Sequence, residues 1–330
     1  MEENIDNPAA FESRLDLSGL NDAVESMRAE IGKVLVGHNQ IVDMLITGVL
    51  ANGHILLEGV PGVAKTLTAK LFAKALKVDF SRVQFTPDLM PSDVLGTSVF
   101  NQKEGDFEFK AGPVFSNVVL IDEINRAPAK TQSALFEVME ERQVTVDGQT
   151  HKMKAPYIVV ATQNPIEQEG TYRLPEAQLD RFLFKLTVDY PSLEDEVTIL
   201  SNHHEKKELM DLSKVKSVLT PKAIKEHKAL VDQIHVEHEM LQYIAKLVNA
   251  TREHPSLYLG ASPRASVAIL GTAKAFAAIN GRDFVTPEDV KFMATPVMRH
   301  RVILTPESEM EGTSADDVIK EIIDKVEVPR

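Results

Sequence analysis

The sequence predicts an α/β fold in which a parallel five-stranded sheet is followed by a separate all-α domain. Five short apolar runs alternate with helical patterns before residue 190, as in sheets whose strands are joined by helices. The first run leads through a glycine-rich turn directly into a helix. After Tyr190-Pro191 only helical patterns continue, so the domain type changes at that point.

The composition is that of a globular protein with an acidic surface. The chain has 330 residues, enough for about two domains, and 43% of them are apolar. It has no cysteine, which excludes disulfides, cysteine-ligated zinc and thiol chemistry. The net charge of −13, without a polybasic tract, argues against nucleic acid as the main partner. No apolar run reaches membrane-spanning length and no signal-peptide pattern is present, so we expect a cytoplasmic protein without membrane insertion.

Two helices are predicted before the sheet. Residues 1–17 have no periodic pattern and are expected to form a flexible tail. Apolar residues then recur at helical spacing from Leu20 to Val34 and from Ile41 to Leu50. The α/β domain is therefore expected to span residues 18–190.

The first strand is followed by a pattern typical of phosphate-binding loops. Ile55-Leu56-Leu57 precede the turn, and a helical segment rich in Ala, Leu and Lys follows it. Glycines let backbone N–H groups face a phosphate, and the helix N-terminus adds partial positive charge. Lys65 would reach the β- and γ-phosphates of ATP, and the Thr66 hydroxyl would ligate Mg²⁺. The predicted nucleotide-binding residues are Gly59, Val60, Pro61, Gly62, Val63, Ala64, Lys65, Thr66 and Leu67.

Ala64 departs from the strict phosphate-loop pattern, which has glycine immediately before the lysine. Alanine suits the right-handed helical region, so the loop is expected to have a negative φ at this position. The alternative interpretation is an ordinary strand–turn–helix with a chance Lys-Thr pair.

Two adjacent carboxylates end the third strand. Val118 to Ile121 is a continuous apolar run of the kind buried on both faces of a sheet, and Asp122-Glu123 follows it directly. Downstream of a phosphate loop, Asp122 is expected to hold Mg²⁺, and Glu123 to orient and activate the attacking water. The alternative is a strand capped by two solvated acids.

A polar side chain also ends the fourth strand. The apolar run from Tyr157 to Ala161 leads into Thr162-Gln163-Asn164. Ligands of parallel sheets bind at the carboxyl ends of the strands, so Asn164 is expected beside Asp122 and Glu123, where it could position water. The alternative is an asparagine that begins a turn before Pro165.

The remaining strands are predicted near residues 79–85 and 183–188. Two hairpins interrupt the domain as inserts, residues 97–109 with Gly105 in the turn, and residues 143–155 with a turn at Asp147-Gly148. Residues 191–330 are expected to form the all-α domain, in which Ser262-Pro263 and Thr286-Pro287 are helix-start signals. Its predicted helices span about 192–207, 221–233, 237–253, 263–280 and 286–298.

Together and in this order, the motifs resemble an AAA+ ATPase. More narrowly, the segments Asp122 to Ala127 and Leu174 to Phe182 resemble the MoxR family. The similarity covers nearly the whole chain after residue 20. It implies that Lys65 and Thr66 form the Walker A pair, that Asp122 and Glu123 form Walker B, and that Asn164 is sensor 1.

The resemblance also assigns arginines and inserts. Arg181 falls where related ATPases have an arginine finger, which acts on the γ-phosphate of the neighbouring subunit. Arg264 falls at sensor 2 on the helical lid. The hairpins match the helix-2 insert and the pre-sensor-1 insert. Arg173 stands where the family has proline and competes with Arg181 for the finger role. We expect two or three of four arginines to contact nucleotide: Arg126, Arg173, Arg181 and Arg264.

The resemblance implies an ATPase that uses ATP and Mg²⁺ and assembles as a homo-oligomeric ring, with six copies expected. Its implied role is chaperone-like remodelling or maturation of a client complex, including metal or cofactor insertion, with a von Willebrand factor A-domain partner. The alternatives are a nucleic-acid motor, which the acidic charge disfavours, and a metal-chelatase motor subunit. A nucleotide-gated scaffold is disfavoured by the intact Glu123 and Asn164.

Overall fold

The computed structural model describes residues 14–165, 170–172, 174–205 and 212–329. The helices in these ranges are α1 (Ser18–Gly32), α2 (Asn39–Leu50), α3 (Lys65–Ala75), α4 (Pro91–Leu95), α5 (Ala129–Glu141), α6 (Glu176–Leu179), α7 (Leu193–His204), α8 (Pro221–Asp232), α9 (His238–Glu253), α10 (Pro263–Ile279), α11 (Pro287–Met298), α12 (Pro306–Met310) and α13 (Ala315–Lys325). The strands are β1 (His54–Glu58), β2 (Phe80–Gln84), β3 (Gly96–Asn101), β4 (Asp106–Ala111), β5 (Val118–Asp122), β6 (Gln143–Val146), β7 (Gln149–Lys152), β8 (Ile158–Gln163), β9 (Phe182–Thr187), β10 (Leu257–Leu259) and β11 (Ile303–Leu304).

The central sheet has five parallel strands in the order β2-β5-β8-β1-β9. The predicted fold class is therefore confirmed. The register aligns Ile121 with Ala161 and Leu57 with Thr162, so β5, β8 and β1 end at the same edge. The segments that leave this edge carry the predicted site residues.

Each central strand is buried on both faces, which explains its unbroken apolar sequence. Val118 and Leu120 face a core that includes α1, α2, α3 and the C-terminal helices, whereas Val119 and Ile121 face a second core under α5. Side chains alternate across a strand, so one apolar run supplies both cores.

The chain before α1 packs against the folded body. Leu17 is buried, and the Arg14 N–H donates to an Asp283 carboxylate oxygen at 2.6 Å. The sequence predicts a flexible tail up to residue 17, but residues 14–17 are in contact with the rest of the protein. The other residues of that predicted tail, 1–13, lie outside the described ranges.

Arg301 connects the C-terminal helices to the last strand of the sheet. Its Nε donates to Asp180 Oδ1 at 2.7 Å, and its Nη atoms donate to the carbonyls of Phe182 and Leu183 at 2.6 and 2.9 Å. The neighbouring ring of His300 is 3.1 Å from the Phe182 carbonyl through Nε2. These buried contacts fix the lid beside β9.

Both predicted hairpins are present and pack together. β3 pairs with β4, and β6 pairs with β7. The ring of Phe109 stacks on His151 with centroids 4.3 Å apart, and Ser98 donates a short hydrogen bond to Asp147. The two inserts therefore form one unit beside the central sheet.

The lid helices begin where the sequence predicts, at Pro221, Pro263 and Pro287, each in the first turn. The β10–β11 ribbon and helices α12 and α13 were not predicted. Among the described residues, no helix combines the length and apolar character needed to cross a membrane.

Candidate nucleotide-binding site

The segment between β1 and α3 has the geometry of a phosphate-binding loop. Gly59 passes so close to the chain after β9 that an added Cβ would lie 2.5 Å from the Val188 carbonyl oxygen. Gly62 has a φ of +89°, in the region that favours glycine. Lys65 begins α3, and its ammonium group donates to the carbonyls of Gly59 and, at 3.2 Å, Val60. The loop thus wraps around the lysine head.

Ala64 adopts a left-handed conformation, with φ +58° and ψ +19°. The expectation of a negative φ at this position is wrong. The loop must reverse direction immediately before α3, and this reversal requires the conformation that glycine supplies in the strict pattern. Alanine occupies it with backbone strain, because its Cβ is close to the following carbonyl.

Thr66 and Asp122 meet at the predicted metal position. The Thr66 hydroxyl donates to Asp122 Oδ1 at 3.0 Å. The Thr162 hydroxyl lies 3.2 Å from the same oxygen, and Arg82 Nε donates to Asp122 Oδ2 at 2.6 Å. Asp122 is buried, so this network fixes its carboxylate. Its oxygen atoms suit a hard cation such as Mg²⁺.

Glu123 projects from the end of β5 in a left-handed conformation, with a φ of +56°. Its N–H donates to the Thr162 hydroxyl at 3.0 Å. Its Oε2 accepts a hydrogen bond from Gln84 Nε2 at 2.6 Å and lies 3.1 Å from Arg126 Nε. The carboxylate is therefore held at the sheet edge and is about one-third exposed, at 34%. Such a group can accept a proton from water.

A cavity of about 400 Å³ brings these groups together. Its lining includes residues 61–67, Asp122, Glu123 and Asn164, so the structure brings together side chains from three predicted segments. Asn164 is buried. A larger cavity of about 630 Å³ lies at the other end of α3, near Lys74 and Lys77, and none of the predicted site residues is among its described lining.

The predicted arginines lie mostly outside this cavity. Arg181 Nη1 donates to the Phe136 carbonyl at 2.5 Å, and Arg264 Nη2 donates to Glu140 Oε1 at 3.2 Å. Both are thus held along α5, and neither belongs to the described cavity lining. Arg126 contacts Glu123, and Arg173 lies outside the described residues. That two or three of these four arginines contact nucleotide stays a prediction.

Comparisons with known proteins agree with this geometry. A family model described as "ATPase family associated with various cellular activities (AAA)" matches residues 54–184, and an AAA lid domain model matches residues 249–322. The chaperone MoxR1 of Mycobacterium tuberculosis is 43% identical over 310 residues, covering 91% of this chain and 81% of MoxR1. The chain belongs to the MoxR family of AAA+ ATPases.

Two further proteins are similar to this chain over nearly their whole length. The uncharacterized protein YeaC of Bacillus subtilis is 46% identical over 314 residues, covering 94% of this chain and 95% of YeaC. The crystal structure of a candidate ATPase from Cytophaga hutchinsonii has a TM-score of 0.88 at 42% identity, covering 95% of this chain and 97% of that one. The resemblance to MoxR proteins and the two-part fold are therefore confirmed.

Two polar residues in the cavity of this MoxR-family ATPase were not singled out from sequence. Arg82 and Gln84 lie on β2 and line the cavity, within hydrogen-bond distance of Asp122 and Glu123 respectively. The available signal was their alternate spacing, which puts both on one face of a strand that ends at the binding edge. Their partners are set by the pairing of β2 with β5, which is not a local property.

Proposed function

We propose that the protein hydrolyses ATP in the cavity around Lys65 and Glu123, and that hydrolysis drives remodelling or maturation of another protein complex. The observation that carries this proposal is the convergence of the phosphate loop, Asp122-Glu123 and Asn164 on one cavity. Lys65 would bind the β- and γ-phosphates, and the backbone N–H groups of residues 62–67 would surround them.

Mg²⁺ fits the oxygen atoms present. Thr66 and Asp122 would hold it, since their side-chain oxygens lie 3.0 Å apart at the mouth of the phosphate loop. Bound Mg²⁺ would neutralise charge on the phosphate oxygens during phosphoryl transfer.

Glu123 would act as the general base. A water beside its carboxylate could lose a proton to it, while the side chain of Asn164 orients that water. Gln84 occupies one carboxylate oxygen of Glu123 and therefore controls the direction in which the carboxylate points. The chemistry also needs a cation that stabilises charge developing on the γ-phosphate.

A neighbouring copy would supply that cation. Arg181 and Arg264 lie along α5, away from the described lining of the cavity in their own chain. In the proposed ring, one copy's α5 face would lie against the next copy's cavity. Arg181 would then serve as the arginine finger, with Arg264 beside it as sensor 2. Six copies per ring is our expectation for this family.

The remodelling role rests on similarity to the chaperone MoxR1. The client, a von Willebrand factor A-domain partner and metal or cofactor insertion remain parts of the proposal. A metal-chelatase motor subunit is the second candidate, because it would use the same core. Chelatase activity with a partner subunit would distinguish the two.

Two variants test the site. Lys65→Ala should abolish ATP binding in calorimetry, because the phosphates lose their main side-chain partner. Glu123→Gln should bind ATP normally but release phosphate at least about a hundredfold more slowly, as expected for loss of a general base. Glu239→Gln, an exposed change on lid helix α9, is the matched control and should behave like wild type. Unchanged turnover in Glu123→Gln would refute the assignment.

A further inference from the structure

Arg82 forms an ion pair with Asp122, the carboxylate proposed to hold the cation. Its Nε lies 2.6 Å from Asp122 Oδ2, and the two side chains are 44% and 5% exposed. A partly exposed arginine side chain is therefore paired with a buried carboxylate. Arginine remains charged at every physiological pH, so this is a full ion pair.

Both oxygens of Asp122 have protein donors. Oδ2 accepts from Arg82, and Oδ1 lies 3.0 and 3.2 Å from the hydroxyls of Thr66 and Thr162. A hydroxyl can rotate and present a lone pair to a cation, whereas a guanidinium has only donors. Of these three partners, Arg82 alone conflicts with a cation at the carboxylate.

We propose that Arg82 competes with the divalent cation for Asp122 and thereby sets the Mg²⁺ concentration at which nucleotide binds tightly. This inference rests on the proposed use of Mg²⁺ with ATP by the same site. Arg82 carries a positive charge, so its presence beside Asp122 opposes a second cation there.

The position of Arg82 allows it to move away from the carboxylate. β2 is an edge strand of the sheet, and the exposed part of the guanidinium can turn to solvent. Its Nη2 lies 3.4 Å from Gln84 Oε1, and Gln84 donates to Glu123. Arg82 thus contacts Asp122, the proposed cation ligand, directly. It is linked to Glu123, the proposed general base, through Gln84.

The test measures binding of fluorescent mant-ADP to the full chain as MgCl₂ is added, starting in EDTA. Arg82→Gln should lower the half-maximal Mg²⁺ concentration about fivefold, the upper range for losing a partly exposed charged partner. Arg82→Lys keeps the positive charge and should stay within about twofold of wild type. Lys222→Gln removes an 86% exposed positive charge from the lid and should not shift the curve.

A double-mutant cycle ties the effect to Asp122. In an Asp122→Asn background, Arg82→Gln should no longer shift the Mg²⁺ curve, because the shared carboxylate is gone. Equal thermal unfolding midpoints for Arg82→Gln and wild type would exclude a folding defect. An unchanged or higher half-maximal Mg²⁺ concentration in Arg82→Gln would overturn the proposal.

Two other results would separate a failure of the competition proposal from a failure of the proposed ATPase site. If Arg82→Gln weakens mant-ADP binding in EDTA by about tenfold or more, Arg82 is a phosphate ligand and the competition proposal is wrong. If wild type binds no mant-ADP at any Mg²⁺ concentration, the proposed ATPase site itself fails, and this inference fails with it.

Discussion

Ala64 shows how a single residue can have a conformation that its type does not favour. The sequence identified the phosphate loop from Gly59, Gly62, Lys65 and Thr66, but the sign of φ at Ala64 depends on how the loop enters α3. The residue types therefore predicted the phosphate-binding loop, but they did not predict the strained backbone at Ala64.

Replacing Ala64 with glycine should stabilise the protein. The left-handed conformation costs alanine roughly 1–2 kcal/mol, partly offset by the greater freedom of glycine in the unfolded chain. We expect Ala64→Gly to raise the free energy of unfolding by up to about 1 kcal/mol in nucleotide-free denaturant titrations. Ala69→Gly, inside the following helix α3 and fully buried, is the control and should lower it. Equal losses in both variants would contradict the strain argument.

His54 gives the fold an acid-sensitive contact. The Val159 N–H donates to Nδ1 at 2.9 Å, so Nε2 carries the proton and donates to the Met139 carbonyl at 3.0 Å. Burial lowers the pKa of His54 from 6.5 to about 4. Above pH 6.5 both folded and unfolded chains have a neutral ring. Between pH 6.5 and 4 the unfolded chain binds a proton that the folded chain excludes. The free energy of unfolding therefore decreases as the pH is lowered through this range.

The difference in free energy of unfolding between wild type and His54→Gln should therefore shrink as the pH falls. The expected loss is about 3 kcal/mol between pH 7 and 4, from about 1.4 kcal/mol per unit of pKa difference. Urea titrations at several pH values measure it, with the exposed His238→Gln as the control. Burial also lowers the pKa of His300, and comparing variants removes that shared slope. A gap that does not change with pH would contradict the assignment.

At the scale of elements, local patterns predicted the strands and both hairpins but missed the end of the chain. The run from Val118 to Ile121 and the Asp147-Gly148 turn are strong local signals, and both elements are present. Helix α13 was missed although Ser314 and Asp317 form a capping box at its start. The partners of Arg82 and Gln84 could not be predicted, because they depend on strand order.

The paired hairpins are candidates for transmitting the effect of hydrolysis. Phe100 and Phe107 are 51% and 68% exposed and form an edge-to-face pair 5.3 Å apart at the free end of β3–β4. Phe109, in contrast, stacks on His151 and joins the hairpins. The outer pair can therefore be removed without separating the inserts.

Replacing residues 100–107 with a Gly-Ser link should leave basal ATPase activity within about threefold, because none of these residues is in the described cavity lining. Stimulation by a partner, or client remodelling, should be lost. Phosphate release with and without the partner measures both effects. The lid variant Tyr258→Ser, which also removes an exposed aromatic ring, serves as the control. Survival of both activities would assign this hairpin a structural role only.

At the scale of the whole molecule, the lid and the α/β domain are joined around Asp180. Arg301 donates to this carboxylate at 2.7 Å, and Arg264 Nη1 lies 3.7 Å from its other oxygen. Arg181 follows Asp180 directly in the chain. A change in lid position would therefore reach the proposed finger through one residue. The sequence alone singled out Arg181 and Arg264 as candidates, but it did not predict their connection through Asp180.

The most direct test of a shared active site is to mix two inactive variants. Lys65→Ala should lack ATP binding, and Arg181→Ala should lack the proposed finger while keeping nucleotide affinity. In a random one-to-one mixture, roughly a quarter of the interfaces join an intact phosphate loop to an intact Arg181. Phosphate release should therefore reappear in the mixture at a clear fraction of the wild-type rate. A mixture as inactive as its parents, with Arg173→Ala instead inactive alone and rescued by mixing with Lys65→Ala, would contradict the role of Arg181.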